Sequence, residues 1–308
     1  MNNINIIMYH YVRPIKNSAY PKIKGLELAG FEKQLDFLSS KYYFVTAEDV
    51  IDAISLKKNL PLNSCWLTFD DGYKDHYSYV LPLLIKRKIQ GSFFVPAKPI
   101  IERVMLDFNS LHFILASSDN INNLVLDLNV KCRNFGYTGE DLRKLWEKYA
   151  VPSRYDPKEV MYFKRLLQHV LPVDIRNKIT ASMFSKYVGL NQSAFAEQLY
   201  MSEAEVKELV NFGMYVGNHS YGHPHLNKED KISQKLEIDL SIKFLKSIGA
   251  KTKDWIMCYP YGQYDHNTID ILQELKCLAA LTTEVGEANL NVHHPLKLPR
   301  FDTNDFIQ

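Results

Sequence analysis

The sequence predicts an α/β fold with mostly parallel strands. Two observations carry that prediction. Short runs rich in β-branched and aromatic residues alternate with segments of helical periodicity, the pattern of strands joined by helical crossovers. Most of those runs stop abruptly at a motif of aspartate, histidine, proline or glycine, so polar chemistry collects past the same end of successive strands.

Taken in order, the first strand is expected over 4–8 and leads into Tyr9-His10. Phe31, Leu35 and Leu38 then recur at helical spacing. A short strand over 42–45 precedes Thr46, which with Asp49 has the spacing of a capping box opening a helix through Ile51 and Ile54. Strands over 65–69 and 91–95 follow. The basic run Lys86-Arg87-Lys88 between them suits a solvated helix end favoured by the dipole. From about 101 to 200 the alternation stops and helices are expected over 106–116, 140–149, 158–170 and 174–188. This stretch reads as a helical insertion within a single domain spanning 1–308, and His112 and His169 inside it as structural. Ser202 with Glu205 repeats the capping signature before Val206, Leu209 and Val210. Strands over 214–218, 255–259, 278–282 and 297–301 complete the set. The stripe Ile232, Leu236, Leu240, Phe244 ends near Gly249 and is expected to pack into the core.

Composition sets the outer bounds. With 308 residues, 46% apolar and 23% charged, the chain has the balance of a soluble globular protein. A formal net charge of +2 gives no reason to expect nucleic acid or an anionic membrane as partner. No segment approaches the roughly 20 apolar residues that span a bilayer. The four cysteines, at 65, 132, 258 and 277, have no C-x-x-C spacing and suit reduced thiols. The opening MNNINIIMYHYV lacks the basic and apolar regions of a signal peptide, so a cytoplasmic location is expected.

Three motifs carry chemistry. Residues 67–73 read Leu-Thr-Phe-Asp-Asp-Gly-Tyr, an apolar strand ending in the adjacent carboxylates Asp70 and Asp71. Side chains alternate along an extended chain, so one carboxylate can hold a metal while the other faces a bound water. The same residues also suit a plain surface turn. Residues 218–225 read Asn-His-Ser-Tyr-Gly-His-Pro-His. His219 and His223, four apart, can ligate a metal from one helical face or across a tight loop, and Gly222 and Pro224 favour the loop. Imidazoles with one carboxylate and open positions suit zinc or a similar divalent ion. In residues 258–262, Cys-Tyr-Pro-Tyr-Gly, proline and glycine fix an irregular backbone that can aim an N–H into a site. Tyr259 and Tyr261 there offer a platform for a sugar ring, or make an ordinary aromatic turn. All three motifs follow predicted strands, as His10 does, and Arg300 lies in the last one. In a parallel (β/α) barrel the loops at that end converge on one site.

With Met-Tyr-His at 8–10, Thr-Phe-Asp-Asp-Gly at 68–72, His-Ser-Tyr-Gly-His-Pro at 219–224 and Tyr-Pro-Tyr-Gly at 259–262, the sequence resembles the polysaccharide deacetylases of the NodB type, carbohydrate esterase family four. The resemblance covers roughly 1–100 and 201–308 and leaves the insertion outside. It implies a distorted (β/α) barrel of about seven strands. It implies Asp70 as catalytic base, Asp71, His219 and His223 as metal ligands, Ser220 as a hydrogen-bonding support of the histidine loop, and the Tyr261 backbone N–H at the oxyanion. The ion implied is divalent, with zinc the leading candidate, and the substrate an N-acetylated sugar.

Two places depart from the family pattern. Many members carry arginine two residues before the proline of the third motif, where it orients the catalytic aspartate. Cys258 stands there and cannot supply the charge. Arg300 is the candidate to replace it and equally suits a structural ion pair. It is also placed, with His10 and Tyr259, among the expected substrate-binding residues. The late Leu-x-His motif that carries the catalytic acid has no clean match. His294 is the candidate, with His293 beside it and His10 a spatial alternative. His225, His76, Asp75 and Asp302 are left outside the site. The Tyr-Pro-Tyr-Gly variant is more similar to the subgroup linked to exopolysaccharide modification. The expected reaction is metal-dependent removal of an acetyl group from an amino sugar or glycan precursor. The alternatives are an amidase or deformylase acting on a non-sugar amide, and a glycan-binding protein without catalysis.

Overall fold

The computed structural model describes residues 2–153 and 156–305. They fall into two compact units. The larger holds the described residues up to Pro14, Gly25–Arg103, and those from Glu197 onward; the smaller holds Ile15–Lys24 and Val104–Ala196.

The larger unit is built on a curled sheet whose spatial order is Ala288–Asn289, Asn3–Tyr9, Ser64–Asp70, Ser92–Val95, Tyr215–Asn218, Ile256–Cys258 and Ala279–Leu281. The last six of these are mutually parallel, and only Ala288–Asn289 runs antiparallel. Tyr43–Phe44 adds a short parallel pairing beside the start of Ser64–Asp70. The result is a curled, barrel-like α/β sheet of the predicted kind, and every predicted strand but the last finds its counterpart within one or two residues. Of the one expected over 297–301, only Phe301 lies in the observed strand Phe301–Asp302, with an isolated bridge at Leu298 before it. One late segment joins the two ends of this sheet. Leu298 pairs with Leu281 at one end, and Phe301 and Asp302 pair with Ile7 and Met8 at the other.

Alternation along the strands sorts the side chains between two cores. Ile4, Ile6, Trp66, Phe94, Tyr215, Ile256, Cys258, Ala279, Leu281 and Leu298 pack together on the concave side of the sheet. Trp255, Met257, Tyr259 and Ala280 face the other way, onto Ile238 of helix Lys231–Ser247 and Ile271 and Leu272 of helix His266–Glu274. The expected capping boxes form at Thr46 and Ser202, each with reciprocal bonds to the residue three positions on.

The stripe Ile232, Leu236, Leu240, Phe244 does not pack as expected. Ile232 is 83% and Leu236 57% exposed. Helix Lys231–Ser247 instead turns Gln234, Ile238, Ser241 and Leu245 inward, joined only at its end by Phe244. A row at strict four-residue spacing advances about 40° per step around a helix of 3.6 residues per turn, so it cannot stay on one face for three steps.

The smaller unit is helical, as predicted. Its helices are Asp107–Ala116, Ile121–Asn134, Gly139–Tyr149, Lys158–Arg165 and Val173–Val188, with Gln192–Leu199 running out of it into the larger unit. Phe195 centres its core, 4.5 Å from the Phe113 ring and 5.3 Å from Phe184, and Tyr20 meets both Phe113 and Phe195 edge-on. Helix Ile121–Asn134 has no counterpart among the predicted elements. Among the described residues no helix is long and apolar enough to cross a membrane.

Past Asp75 the chain makes a π-helical turn, His76–Val80. The His76 ring lies 5.6 to 5.8 Å from the Phe69, Tyr73 and Phe93 rings and donates from Nε2 to the His10 carbonyl at 2.8 Å. Burial drives its pKa down to about 4, so it is neutral in the folded state. Unfolded histidine titrates near 6.5, so between these values the unfolded chain binds the extra proton. Stability from His76 is therefore complete above about pH 6.5 and is lost as pH falls toward 4, on the order of 3 kcal/mol over that window. Urea unfolding at pH 7 and pH 4.5 should show this acid-dependent loss in the parent and a flatter profile in His76→Gln.

Candidate active site

The site lies past the C-terminal ends of the parallel strands. Trp66, Thr68 and Asp70 share one face of Ser64–Asp70 by alternation, with Trp66 deep in the concave core. Asp70 is buried at the strand's last position and meets Arg300 through two parallel bonds, Nη2 to Oδ2 at 2.8 Å and Nη1 to Oδ1 at 3.1 Å. Arg300 is 1% exposed. Its remaining donors are also engaged: Nε with the Thr282 carbonyl at 2.8 Å, and Nη1 with Thr68 Oγ1 at 3.2 Å. Cys258 completes the cluster, its thiol 3.3 Å from Asp70 Oδ2 and 3.1 Å from Arg300 Nη2. Burial raises the Cys258 pKa, and Asp70 beside it adds to this, so the sulfur keeps its proton as a donor. Burial alone would also raise Asp70. The Arg300 guanidinium, helped by His219 and His10, reverses that and holds the carboxyl below its ordinary value.

Asp71 leaves the strand with φ 74, followed by Gly72 at φ 66, and the chain turns so that its carboxylate faces away from Arg300's partner. Its Oδ2 accepts from the Tyr73 hydroxyl at 2.7 Å. Its Oδ1 faces His219 Nε2 at 3.4 Å and His223 Nε2 at 3.3 Å. Burial would raise this carboxyl too, but the two imidazoles hold it well below its ordinary value. His219 donates from Nδ1 to the Cys258 carbonyl at 2.7 Å, which fixes the ring's orientation with Nε2 toward Asp71. Cys258 and the two carboxylates hold its pKa well above the ordinary value despite burial, and in the neutral ring Nε2 is the nitrogen left to ligate. The loop carrying both histidines is not helical. Ser220 and His223 adopt left-handed backbone angles, φ 57 and 58. The Ser220 hydroxyl accepts from the His223 N–H at 3.1 Å, and Asn218 Oδ1 accepts from the Ser220 N–H at 2.8 Å.

Among the described residues, two groups of side chains have ligand-type atoms within 4.8 Å of one another: Asp71, His219 and His223, and Asp70, His219 and Cys258. The first fits a divalent cation. It offers one carboxylate oxygen and two imidazole nitrogens, with at least one nitrogen held in the ligating tautomer. The second does not, because Asp70 is neutralised by Arg300 and Cys258 is a protonated thiol.

The third motif forms a tight turn, Pro260–Gly262, with Tyr261 left-handed at φ 57. The Tyr261 ring stands edge-on to His223 at 4.6 Å and lies flat on His225 at 3.8 Å and 6°. Gly262 is required there: a Cβ would come within 2.2 Å of Thr283 Oγ1 and 2.9 Å of the Thr283 N.

The expectations for Arg300, Tyr259 and His294 need correction. Arg300 cannot bind substrate, because it is buried with its donors committed to Asp70, Thr68 and Thr282. Tyr259 is no sugar platform: alternation turns it to the outer core, where its hydroxyl donates to the Leu296 carbonyl at 2.9 Å. His294 is exposed, and its Nδ1 accepts from the Leu296 N–H at 3.1 Å, capping the turn Pro295–Lys297. That turn precedes Leu298, whose parallel pairing with Leu281 sets His294 toward the strand beginnings, away from Asp70 and Asp71. His10 is brought to the site. It follows the first strand, is half-buried, and lies near enough to lower both carboxyls. Tyr73, the Cys258 thiol and His225 were not singled out for the site from the sequence. Strand alternation put Cys258 and Tyr259 on opposite faces, but no sequence signal said which of them would meet Asp70.

The polysaccharide deacetylase family model matches residues 57–121 and 161–280, more than half of the chain. The chain belongs to the polysaccharide deacetylase family. Membership supports deacetylase activity, a hydrolysis acting on acetylated carbohydrate. Comparison with curated proteins gives no match. Among solved structures, a Streptococcus pyogenes deacetylase, PplD in complex with acetate, aligns with a TM-score of 0.61 at 18% identity, covering 97% of this chain and 92% of that one. IcaB from Ammonifex degensii aligns at 0.54 and 19% identity over 97% and 91%. The BpsB deacetylase domain from Bordetella bronchiseptica aligns at 0.56 and 13% identity over 98% and 96%. At these identities the likeness is one of fold.

Removing one partner of a buried, fully bonded ion pair strands the other charge. Arg300→Gln should therefore lower unfolding stability by about 3–5 kcal/mol in urea titrations. Cys258→Ala, which removes a weak donor and leaves the ion pair intact, should cost only about 1 kcal/mol. Equal losses in the two variants would mean that Asp70 does not depend on the guanidinium.

Proposed function

We propose that this deacetylase removes the N-acetyl group of an amino sugar or glycan precursor, using a divalent metal, zinc, held by Asp71, His219 and His223. The observation that carries the reading is the division of labour between adjacent carboxylates. Asp71 Oδ1 faces two imidazole nitrogens, while Asp70 is held apart by Arg300. A divalent cation in that triad would supply Lewis acidity toward the acetamide oxygen and toward a water.

The remaining steps belong to the chain's own residues. Asp70, ionised and oriented by the two bonds from Arg300, accepts the proton of the attacking water. The Tyr261 turn, whose ring stands against His223, would offer its backbone N–H to the developing oxyanion. The departing sugar amine needs a proton, and His10 supplies it. It is half-buried at a strand end beside both carboxylates, and the His76 bond to its carbonyl holds its backbone. The Tyr261 ring, stacked on His225 and edge-on to His223, is the aromatic surface beside the triad suited to the face of a pyranose.

Acetate release from free N-acetyl sugars, nucleotide-activated sugars and oligosaccharides, with and without a chelator, tests this reading. Chelation should abolish release, Asp70→Asn should lower kcat by 10²-fold or more, roughly the scale of general-base catalysis, and His10→Gln should lower kcat more than it raises KM. Release from simple non-sugar amides alone would replace the sugar substrate. Absence of release from every compound, with Asp70→Asn altering affinity only, would leave a glycan-binding protein.

A further inference from the structure

The loop between the two histidines is gripped from outside. Ser220 in a left-handed conformation turns the following N–H groups in one direction, which makes a concave anion cradle in the backbone. The carboxylate in that cradle comes from Glu237, on helix Lys231–Ser247. Its Oε2 accepts from the Gly222 N–H at 2.6 Å, and the Tyr221 N–H also bonds to it. Glu237 lies close against Gly222: a Cβ there would stand 3.2 Å from its Oε1, a tight contact that would push the carboxylate by a few tenths of an ångström. On the other side the Tyr221 carbonyl accepts from the Lys98 N–H at 2.8 Å, and the Tyr221 hydroxyl donates to Glu102 at 2.6 Å. His219 and His223 flank this gripped segment, and both ligating nitrogens meet Asp71 Oδ1 only because the backbone between them doubles back.

We propose that Glu237 is a positioning residue of the metal site, which through the Gly222 and Tyr221 N–H groups holds His219 and His223 at ligating separation. The proposal rests on the metal reading of Asp71, His219 and His223. Glu237 meets the loop at the Gly222 and Tyr221 N–H groups, so its effect is on the geometry of the loop backbone. Without it, part of the binding energy of the ion would be spent ordering the loop.

Zinc titrations of the metal-free protein against a chromophoric chelator test the proposal without any substrate. Glu237→Ala should weaken zinc binding roughly 10- to 100-fold, the range for loss of a support behind a ligand. Glu237→Gln keeps an oxygen that accepts from Gly222 and should recover most of the affinity. The absorption spectrum of the cobalt-loaded protein should change in Glu237→Ala and return toward the parent's in Glu237→Gln. Gly222→Ala, whose added methyl crowds the carboxylate at 3.2 Å while leaving its charge, should also weaken zinc, by less than Glu237→Ala. It decides the matter should Glu237→Ala fail to fold. Parental affinity in Glu237→Ala, or in Gly222→Ala when the former does not fold, overturns the proposal. His219→Ala and His223→Ala belong in the same series. If they too keep parental affinity, the triad itself is misassigned; if they lose zinc while the Glu237 and Gly222 variants keep it, only the role of Glu237 falls.

Discussion

The buried ion pair between Asp70 and Arg300 is the constraint around which the larger unit is arranged. Both partners are buried, so each charge must be satisfied by the protein or raise the free energy by several kcal/mol. The arrangement meets that requirement without remainder: two parallel bonds to the carboxylate, one to Thr68, one to the Thr282 carbonyl, and a thiol on the second carboxylate oxygen. Such a pair contributes little net stability compared with apolar packing, but it tolerates few alternatives. Its partners come from four separate segments of the sheet. Arg300 sits in the segment that pairs with Leu281 on one side and Ile7 on the other, so the residue that orients Asp70 is also part of the seam joining the ends of the sheet. Closure of the fold and readiness of the carboxylate are thereby one event.

Strain gathers at the same place. Asp71, Ser220, His223 and Tyr261 all adopt left-handed backbone angles, which cost non-glycine residues on the order of 1 kcal/mol or more each. Each has a local reason. Asp71 must turn its carboxylate out of the strand direction that Asp70 keeps. Ser220 and His223 fold a short loop so that two imidazoles share one oxygen. Tyr261 brings its ring between His223 and His225. The sheet beneath is packed closely enough to hold these conformations. Gly217, just before the histidine loop, lies so near the Phe94 ring that a Cβ would come within 2.5 Å of it.

Much of this was legible in the sequence, for identifiable reasons. Strand positions followed from short apolar runs, and capping boxes from a local three-residue relation, so neither depends on distant contacts. The pairing of Asp71 with His219 and His223 followed from motif chemistry at strand ends. What was illegible depends on register between segments far apart in the chain. Arg300 could be suspected of pairing with Asp70, but only the pairing of Leu298 with Leu281 turns it inward. Tyr259 looked accessible because it stands in a motif, yet it is one residue from Cys258, and alternation sends the two to opposite faces. Either could have taken the inner face until the sheet's curvature was known. His294 resembled an acid by order along the chain. Its distance from the site is set by how the last segment enters the sheet, which no local pattern encodes. Ile232 and Leu236 show the complementary failure: a four-residue spacing is helical, but it winds off the buried face.

Cys258 and Arg300 together give the two adjacent aspartates different surroundings. The guanidinium comes from residue 300, and the third motif meets Asp70 with an uncharged thiol. The Cys258 carbonyl accepts from His219 Nδ1, and its protonated thiol donates to Asp70. Asp70 therefore lies against a fixed cation and is already neutralised. Asp71, one residue on, is bonded only by a tyrosine hydroxyl and faced by imidazoles. Asp71 keeps an oxygen turned to two imidazoles, and Asp70 is fixed in direction by the guanidinium. The different surroundings of the two carboxylates thus follow from which of them the arginine reaches. That in turn is decided by the alternation of a single strand, which points position 70 into the concave side of the sheet and leaves position 71 to turn away from it.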